Sequence, residues 1–185
     1  MINRKFEYFE PNKIEKTESL SQVPPFLFPQ ERDWTCSLAC IRTMLSGVMK
    51  DVPKEEVLVQ QYKMDMGPYY SKDLKKLGIL DDILSKEKVI YGCDQEDIEL
   101  PDILTLMENG YYVMLESMVN YAHWMVLLGY FVTAGEENPE KCRLLFYDPY
   151  YNQVKLLNYD EFMGMWIDGN FAQTGVTKDF IAICG

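Results

Sequence analysis

Residues 30–48 read QERDWTCSLACIRTMLSGV and carry the clearest helix signal in the chain. Apolar residues in this stretch recur at spacings of three and four, which predicts a helix with one buried face: Leu38, Ile41, Leu45 and Val48. Thr35 is the expected N-cap, and Ser46-Gly47 is the expected end. Three prolines in residues 23–29 keep that segment extended, so the helix does not begin earlier. Cys36 therefore falls in the first turn of a buried helix.

Helix patterns dominate the first half of the remaining sequence, and strand patterns dominate the second half. Shorter helices are expected at 53–62, 73–77 and 80–84. Strands are expected at 88–91, 111–116, 123–130, 143–147, 154–157 and 180–183, with helices at 101–107 and 159–166 and a polar hairpin loop at 133–141. This order predicts an α+β fold, in which N-terminal helices pack on a mostly antiparallel C-terminal sheet.

The domain organisation is expected to be simple. Residues 1–22 carry many charges and are expected to form a loose N-terminal arm or an early strand at 5–9. Residues 23–185 are expected to form a single domain, because the length is ordinary for one hydrophobic core and no linker interrupts it.

Composition and charge exclude several classes of function. The formal net charge is −11 and no basic run is present, so nucleic acid is not an expected partner. No run of about 18 apolar residues occurs, so no membrane span is expected. Residues 1–16 lack the apolar core of a signal peptide, and the expected location is cytoplasmic. The five cysteines are odd in number and widely spaced, which indicates free thiols.

His123 is the only histidine in the chain, so any chemistry assisted by histidine must use it. It follows the polar residues 117–121 and precedes the apolar residues 124–128. That pattern places the imidazole at the end of a strand, where adjoining loops commonly hold functional groups. The alternative is a histidine at a strand end that has no role.

Cys36 is the candidate nucleophile. A helix N-terminus presents free N–H groups and a partial positive charge, and both favour the thiolate form of a cysteine. The alternative is a buried core cysteine, because cysteine is among the most buried residue types.

Two further residues could complete such a site. Asp148 ends a predicted strand 25 residues after His123. The intervening hairpin could bring its carboxylate to the Nδ1–H of the imidazole and fix the tautomer. Gln30, six residues before Cys36, could offer N–H donors to an oxyanion. The alternatives are a turn-forming aspartate before proline and a solvated loop glutamine.

These residues resemble a family signature. Gln30-x5-Cys36-Ser37-x-Ala39-Cys40 is similar to the Gln-x5-Cys-Gly-x-Ala-Cys pattern of the C39-type papain-like cysteine peptidases. His123 before an apolar strand and Asp148-Pro149 are similar to the family's His and Asp-Pro elements. The pair Phe162 and Trp166 is similar to the helix that closes the pattern, so the resemblance spans roughly residues 28–166.

The resemblance implies a papain-like fold and a role for each residue. Cys36 would be the nucleophile, His123 the general base and acid, Asp148 the residue that orients the imidazole, and Gln30 the oxyanion-hole residue. The family cleaves peptide bonds, often after a Gly-Gly leader. Ser37 stands where glycine is usual, and these 185 residues show no sign of the transporter domain common in that family, so the leader-peptidase role is not expected to carry over.

The expected substrate is a peptide or a small amide. Trp34, Ser37, Trp124 and Tyr150 neighbour the triad in sequence and are candidate substrate-binding residues. No metal or other cofactor is expected, because structural zinc normally uses four ligands in short pairs. The alternatives to a peptidase or amidase are an acyl- or peptidyltransferase with the same triad, or a catalytically silent peptide-binding module. The sequence leaves the oligomeric state open.

Overall fold

A computed structural model describes residues 18–93, 98–118, 122–132, 142–167 and 178–185. The helices in these ranges are α1 (Cys36–Leu45), α2 (Glu55–Gln61), α3 (Ser71–Leu77), α4 (Ile79–Ile83), α5 (Leu100–Glu108) and α6 (Tyr159–Ile167), with a short 3-10 helix at Lys86–Lys88. The strands are β1 (Glu18–Ser21), β2 (Val89–Gly92), β3 (Tyr112–Met118), β4 (Ala122–Val132), β5 (Arg143–Asp148), β6 (Gln153–Asn158) and β7 (Phe180–Ile183). The predicted α+β class is confirmed.

The strands form one sheet in the order β2-β7-β3-β4-β5-β6, with β1 also paired to β4. Every strand pair is antiparallel. Strand β4 is central and long, and β3 and β5 lie on either side of it. This order brings the beginning of β4, where His123 lies, close to the end of β5, where Asp148 lies.

Helices cover both faces of the sheet, and the strand residues alternate between two cores as the pleat requires. One core joins the sheet to α1–α4 through Met114, Trp124, Val126, Leu128, Tyr147, Ile181 and Ile183. The other joins the sheet to α5 and α6 through Val113, Leu115, Met125, Leu127, Phe146, Phe180 and Ala182. The sheet is therefore the middle of three layers, and α1 is fixed against it.

Helix α1 is buried more completely than its sequence pattern predicts. Residues 37–45 are all buried, including Arg42, whereas the pattern predicted a single buried face. The Arg42 guanidinium donates to the Pro53 carbonyl at 3.0 Å and to a carboxylate oxygen of Glu31 at 2.8 Å. The chain before α1 and the chain leading into α2 thus cover the polar side of the helix, and they satisfy its charge.

The end of the expected N-terminal arm belongs to the sheet. β1 pairs with the second half of β4, beyond the end of β3, so Leu20 lies opposite Tyr130 and Ser21 opposite Gly129. A Cβ atom at Gly129 would lie 2.5 Å from the Leu20 carbonyl oxygen, so glycine is required for this approach. Residues 18–21 of the expected arm therefore form a strand of the sheet.

Two predictions fall outside the described residues: the early strand at 5–9 and the hairpin loop at 133–141. Within the described ranges, no helix combines the length and the apolar character needed to cross a membrane.

Candidate active site

Cys36 is the first residue of α1, and its N-cap is Thr35 as predicted. The Thr35 hydroxyl does not cap the helix, however, because it donates to the Arg32 carbonyl at 3.0 Å and accepts the Arg32 N–H at 3.1 Å. Thr35 therefore shapes the preceding turn and leaves the first N–H groups of α1 uncapped by a side chain. These groups carry the partial positive charge of the helix N-terminus beside the thiol.

The segment before Cys36 is tied to two helices. The Phe28 N–H donates to the Thr43 hydroxyl of α1 at 3.0 Å. The Glu31 N–H and the Arg32 guanidinium donate to the two carboxylate oxygens of Glu55 at 3.0 and 3.2 Å. Glu55 is fully buried at the start of α2, so it is a fixed anchor for this turn. Its role was not evident from the sequence, because only the fold brings α2 beside the turn.

His123 and Asp148 meet across adjacent strands, as the spacing predicted. His123 Nε2 lies 2.9 Å from Asp148 Oδ1. The expectation that Nδ1 would face the carboxylate is therefore wrong. Nε2 is the ring nitrogen farther from the backbone, and it reaches the end of β5, which leaves Nδ1 available on the other edge of the ring.

Cys36 also lies beside the imidazole. The two side chains line the same cavity, and an interaction with Cys36 contributes to the raised pKa of His123. Since Asp148 occupies Nε2, Nδ1 is the nitrogen left for the sulfur. The structure thus brings Cys36, His123 and Asp148 into one chain of contacts, although they come from α1, β4 and β5.

The environment favours the protonated form of His123. Burial lowers the pKa of the imidazole, because only 16% of the side chain is exposed, but hydrogen bonds to Asp148 and Cys36 and their charges outweigh that effect. The net result raises the pKa of His123 from 6.5 to about 9. The site therefore favours the imidazolium form of His123.

Asp148 is held in the ionised form although it is only 2% exposed. Burial by itself raises the pKa of its carboxyl, but hydrogen bonds from His123 and Lys155 bring it well below its ordinary value. Lys155 Nζ lies 2.5 Å from Oδ2, and the Tyr150 N–H donates to Oδ1 at 3.0 Å. Both carboxylate oxygens therefore have partners, which fixes the plane presented to the imidazole.

Lys155 is a site residue that the sequence analysis missed. In the β5–β6 pairing, Asp148 lies opposite Gln153 and Phe146 lies opposite Lys155. Residues two apart on a strand share a face, so Lys155 and Asp148 lie on the same side of the hairpin. The only sequence signal for the contact between Lys155 and Asp148 was the short turn between the two strands. This signal becomes informative only once the strand register is known.

Gln30 lies near the site, but its side chain is partly engaged elsewhere. Its backbone N–H donates to the Pro149 carbonyl at 3.1 Å, beside Asp148. Its amide nitrogen donates to the Arg32 carbonyl at 2.8 Å, which leaves one side-chain N–H free of that bond. Gln30 is not among the residues that line the cavity described next.

A cavity of about 210 Å³ opens at the thiol and the imidazole. Its lining consists of Asp33, Trp34, Cys36, Met66, Gly67, Pro68, Ala122, His123 and Tyr150. Trp34 and Tyr150 were candidate substrate-binding residues, and both line it. The loop between α2 and α3 supplies Met66, Gly67 and Pro68, which the sequence analysis did not select. Met66 is 83% exposed. The sequence signal for this part of the lining was a methionine directly before Gly67-Pro68, a pair typical of a loop.

Two candidate substrate-binding residues are not part of this lining. Ser37 is 1% exposed and lies within α1. Trp124 is also 1% exposed, and its indole N–H donates to the Tyr69 carbonyl at 2.7 Å. Trp124 packs into the core between α1 and the sheet, and Ser37 is buried within α1, whereas their neighbours in sequence Cys36 and His123 reach the cavity.

Comparison with protein-family models found no match, and comparison with curated proteins found none either. Among the described residues, no cluster of three or more His, Cys, Asp or Glu side chains is arranged to hold a metal ion.

Proposed function

We propose that this chain is a cysteine-dependent peptidase or amidase with a papain-like fold, similar to the C39-type peptidases. One observation carries the proposal: the thiol at the start of α1 and the only histidine line the same cavity, and a buried carboxylate holds that histidine through Nε2. A cavity opens at the two groups that would react with a substrate. The chain order of Cys36, His123 and Asp148 is also that of papain-type enzymes.

The proposed reaction begins with the Cys36 thiolate and the His123 imidazolium. The sulfur attacks the carbonyl carbon of the amide, and the tetrahedral intermediate then breaks its C–N bond. The imidazolium gives its proton to the leaving amine, so the amine departs neutral and the enzyme carries a thioester. Asp148 accepts a hydrogen bond from the imidazole throughout and keeps the ring in place.

Hydrolysis of the thioester restores the site. The neutral imidazole takes a proton from water as the water oxygen attacks the thioester carbonyl. The C–S bond breaks, the sulfur leaves as a thiolate, and the acid product is released. The imidazolium and thiolate are then ready for another cycle.

Charge on the carbonyl oxygen needs hydrogen-bond donors during both attacks. The backbone N–H of Cys36 at the uncapped start of α1 is one candidate donor. The remaining side-chain N–H of Gln30 is the second candidate, by resemblance to the family. A Gln30→Glu variant keeps the size of the side chain but replaces its donors with acceptors, and a decrease in turnover of about 10²–10³ is expected.

The decisive experiment is a search for an adduct on Cys36. The protein is incubated with an amide or peptide substrate library, quenched in acid and digested, and the mass of the peptide that contains Cys36 is measured. An acyl adduct on Cys36, missing in Cys36→Ser and present in Cys184→Ser, supports the proposal. Turnover that persists in Cys36→Ser contradicts it.

The same assay separates hydrolysis from transfer. Addition of hydroxylamine as a competing acceptor gives a hydroxamate in proportion to the thioester that it intercepts. An acid product without added acceptor identifies a hydrolase, whereas turnover only with an amine acceptor identifies a transferase. If Cys36 reacts with iodoacetamide no faster than a small free thiol at the same pH, the site is a silent binding module.

A further inference from the structure

The cavity beside Cys36 carries one charged lining residue besides the two reactive ones. That residue is Asp33, which is exposed at the cavity rim three residues before the thiol. No ion pair or hydrogen bond of the Asp33 carboxylate occurs among the described residues. Its neighbour Arg32 is held by the buried carboxylate of Glu55, at 3.2 Å, and so is not directed to Asp33. A cation that enters the cavity would therefore find an uncompensated carboxylate.

The walls of the cavity are aromatic and apolar. Trp34 and Tyr150 line it together with Met66 and Pro68. Tyr150 is 46% exposed, and Trp34 is partly buried with its ring 6.2 Å from that of Tyr69. Aromatic faces attract ammonium and guanidinium groups, and they also accept the aliphatic stems of lysine and arginine side chains.

We propose that this cavity binds a cationic group of the substrate, an ammonium or guanidinium, with Asp33 as the residue that selects it. The role of this site in substrate choice rests on the proposed function. A positively charged substrate residue would place its stem between Trp34 and Tyr150, with its charge at Asp33 and the scissile carbonyl at Cys36. A formal net charge of −11 attracts the same class of substrate from solution.

The test measures charge preference at the thiol and does not depend on peptidase activity. Three methanethiosulfonates react with a thiolate in the same way, giving a mixed disulfide and methanesulfinate, but carry an aminoethyl, a methyl or a sulfonatoethyl group. Their rates of reaction at Cys36 are measured by mass spectrometry at pH 7 and normalised to the rates with a small free thiol. The ratio of cation rate to anion rate is the readout.

In Asp33→Asn the cation rate is expected to fall and the anion rate to rise, each about fivefold, the effect of one unit charge at about 4 Å in water, so the ratio falls about 25-fold. Asp33→Lys should reverse the preference, and high salt should weaken it in the wild-type protein. The matched control is Asp51→Asn, which removes the same charge from an exposed residue beyond the other end of α1. Its ratio is expected to change less than twofold.

Equal changes in the Asp33→Asn and Asp51→Asn variants overturn the proposal, because the preference would then come from net charge alone. Peptides with lysine, norleucine or glutamate near the cleaved bond test the consequence for the substrate. If the chain cleaves peptides with no preference among the three, the inference fails and the proposed function stands. If Asp33 controls labelling but no amide is cleaved, the proposed function fails and the cation site remains.

Discussion

Lys155 Nζ and Asp148 Oδ2 lie 2.5 Å apart, and His123 Nε2 lies 2.9 Å from the other oxygen of the same carboxylate. Two groups that can carry positive charge thus share one buried anion. A positive charge on Lys155 repels a proton on His123, so Lys155 limits how far Asp148 can raise the pKa of His123. Lys155 also fixes the carboxylate, whose orientation determines where the imidazole points.

Replacement of Lys155 with methionine should raise the pKa of His123 above its value of about 9, because one opposing positive charge is removed. The measurement is an NMR titration of the imidazole Cε1–H resonance, which is unambiguous in a chain with one histidine. Lys155→Arg should restore a titration close to that of the wild type. Lys50→Met removes an equal charge from an exposed position and should have little effect. An unchanged titration in Lys155→Met would show that this lysine does not influence the imidazole.

The wild-type titration is a prediction in itself. His123 should lose its proton near pH 9, instead of near 6.5, because its hydrogen bonds to Asp148 and Cys36 outweigh its burial. In Cys36→Ala the midpoint should fall, since one of the two raising partners is lost. A wild-type midpoint below 7 would mean that the imidazolium is not the form present at neutral pH.

The raised pKa of His123 also predicts how stability depends on pH. The folded chain holds this proton more tightly than the unfolded chain, so the contribution is complete below about pH 6.5 and is lost as pH rises through about 9. Urea unfolding at pH 6 and at pH 9.5 should therefore show a larger loss of unfolding free energy in the wild type than in His123→Asn. Equal losses of unfolding free energy in the two proteins would show that the proton on His123 does not contribute to stability.

Tyr150 should contribute to substrate binding. It lines the cavity, and its ring lies edge-on to His123 at 6.5 Å between centroids. Tyr150→Ala should raise KM about tenfold, because a stacking surface beside the reactive groups is lost. Tyr151→Ala is the matched control, since Tyr151 contacts Tyr150 and Lys155 but is not part of the lining. Full activity in Tyr150→Ala would exclude Tyr150 from substrate binding.

Glu55 should stabilise the turn before Cys36. In Glu55→Gln one carboxylate oxygen becomes a donor that faces a backbone N–H or a guanidinium, and a loss of about 2 kcal/mol in unfolding free energy is expected. Glu56→Gln alters an exposed neighbour and should cost less than about 0.5 kcal/mol. Denaturant unfolding of both variants gives the comparison. Matching values would show that burial of Glu55 has no energetic consequence for this turn.

Local sequence patterns predicted much of the framework, because helix caps, prolines and alternating strands act over a few residues. The start of α1 at Cys36 and the positions of β4 and β5 follow from such patterns, and they suffice to bring Asp148 near His123. The pattern did not predict β1, because Glu18–Ser21 is short and mostly polar. These four residues become a strand only because β4 offers them a free edge. Lys155 and Glu55 were missed for a similar reason: each acquires its partner through a register or a packing contact between distant elements.

The cavity was only partly predictable. Trp34 and Tyr150 are close in sequence to the reactive residues, and both line the cavity. Ser37 and Trp124 are equally close, but helix and strand geometry turns alternate side chains in different directions. Proximity in sequence therefore selects the right elements, and the direction of each side chain depends on how those elements pack.

The position of β1 has a consequence for shortened forms of the protein. Residues 129–132 of β4 extend past the end of β3 and are paired there by residues 18–21. A chain that begins at residue 22 would leave the N–H and C=O groups along this part of β4 without partners on one side. Such an exposed edge recruits strands from other molecules, so self-association is the expected behaviour of that fragment.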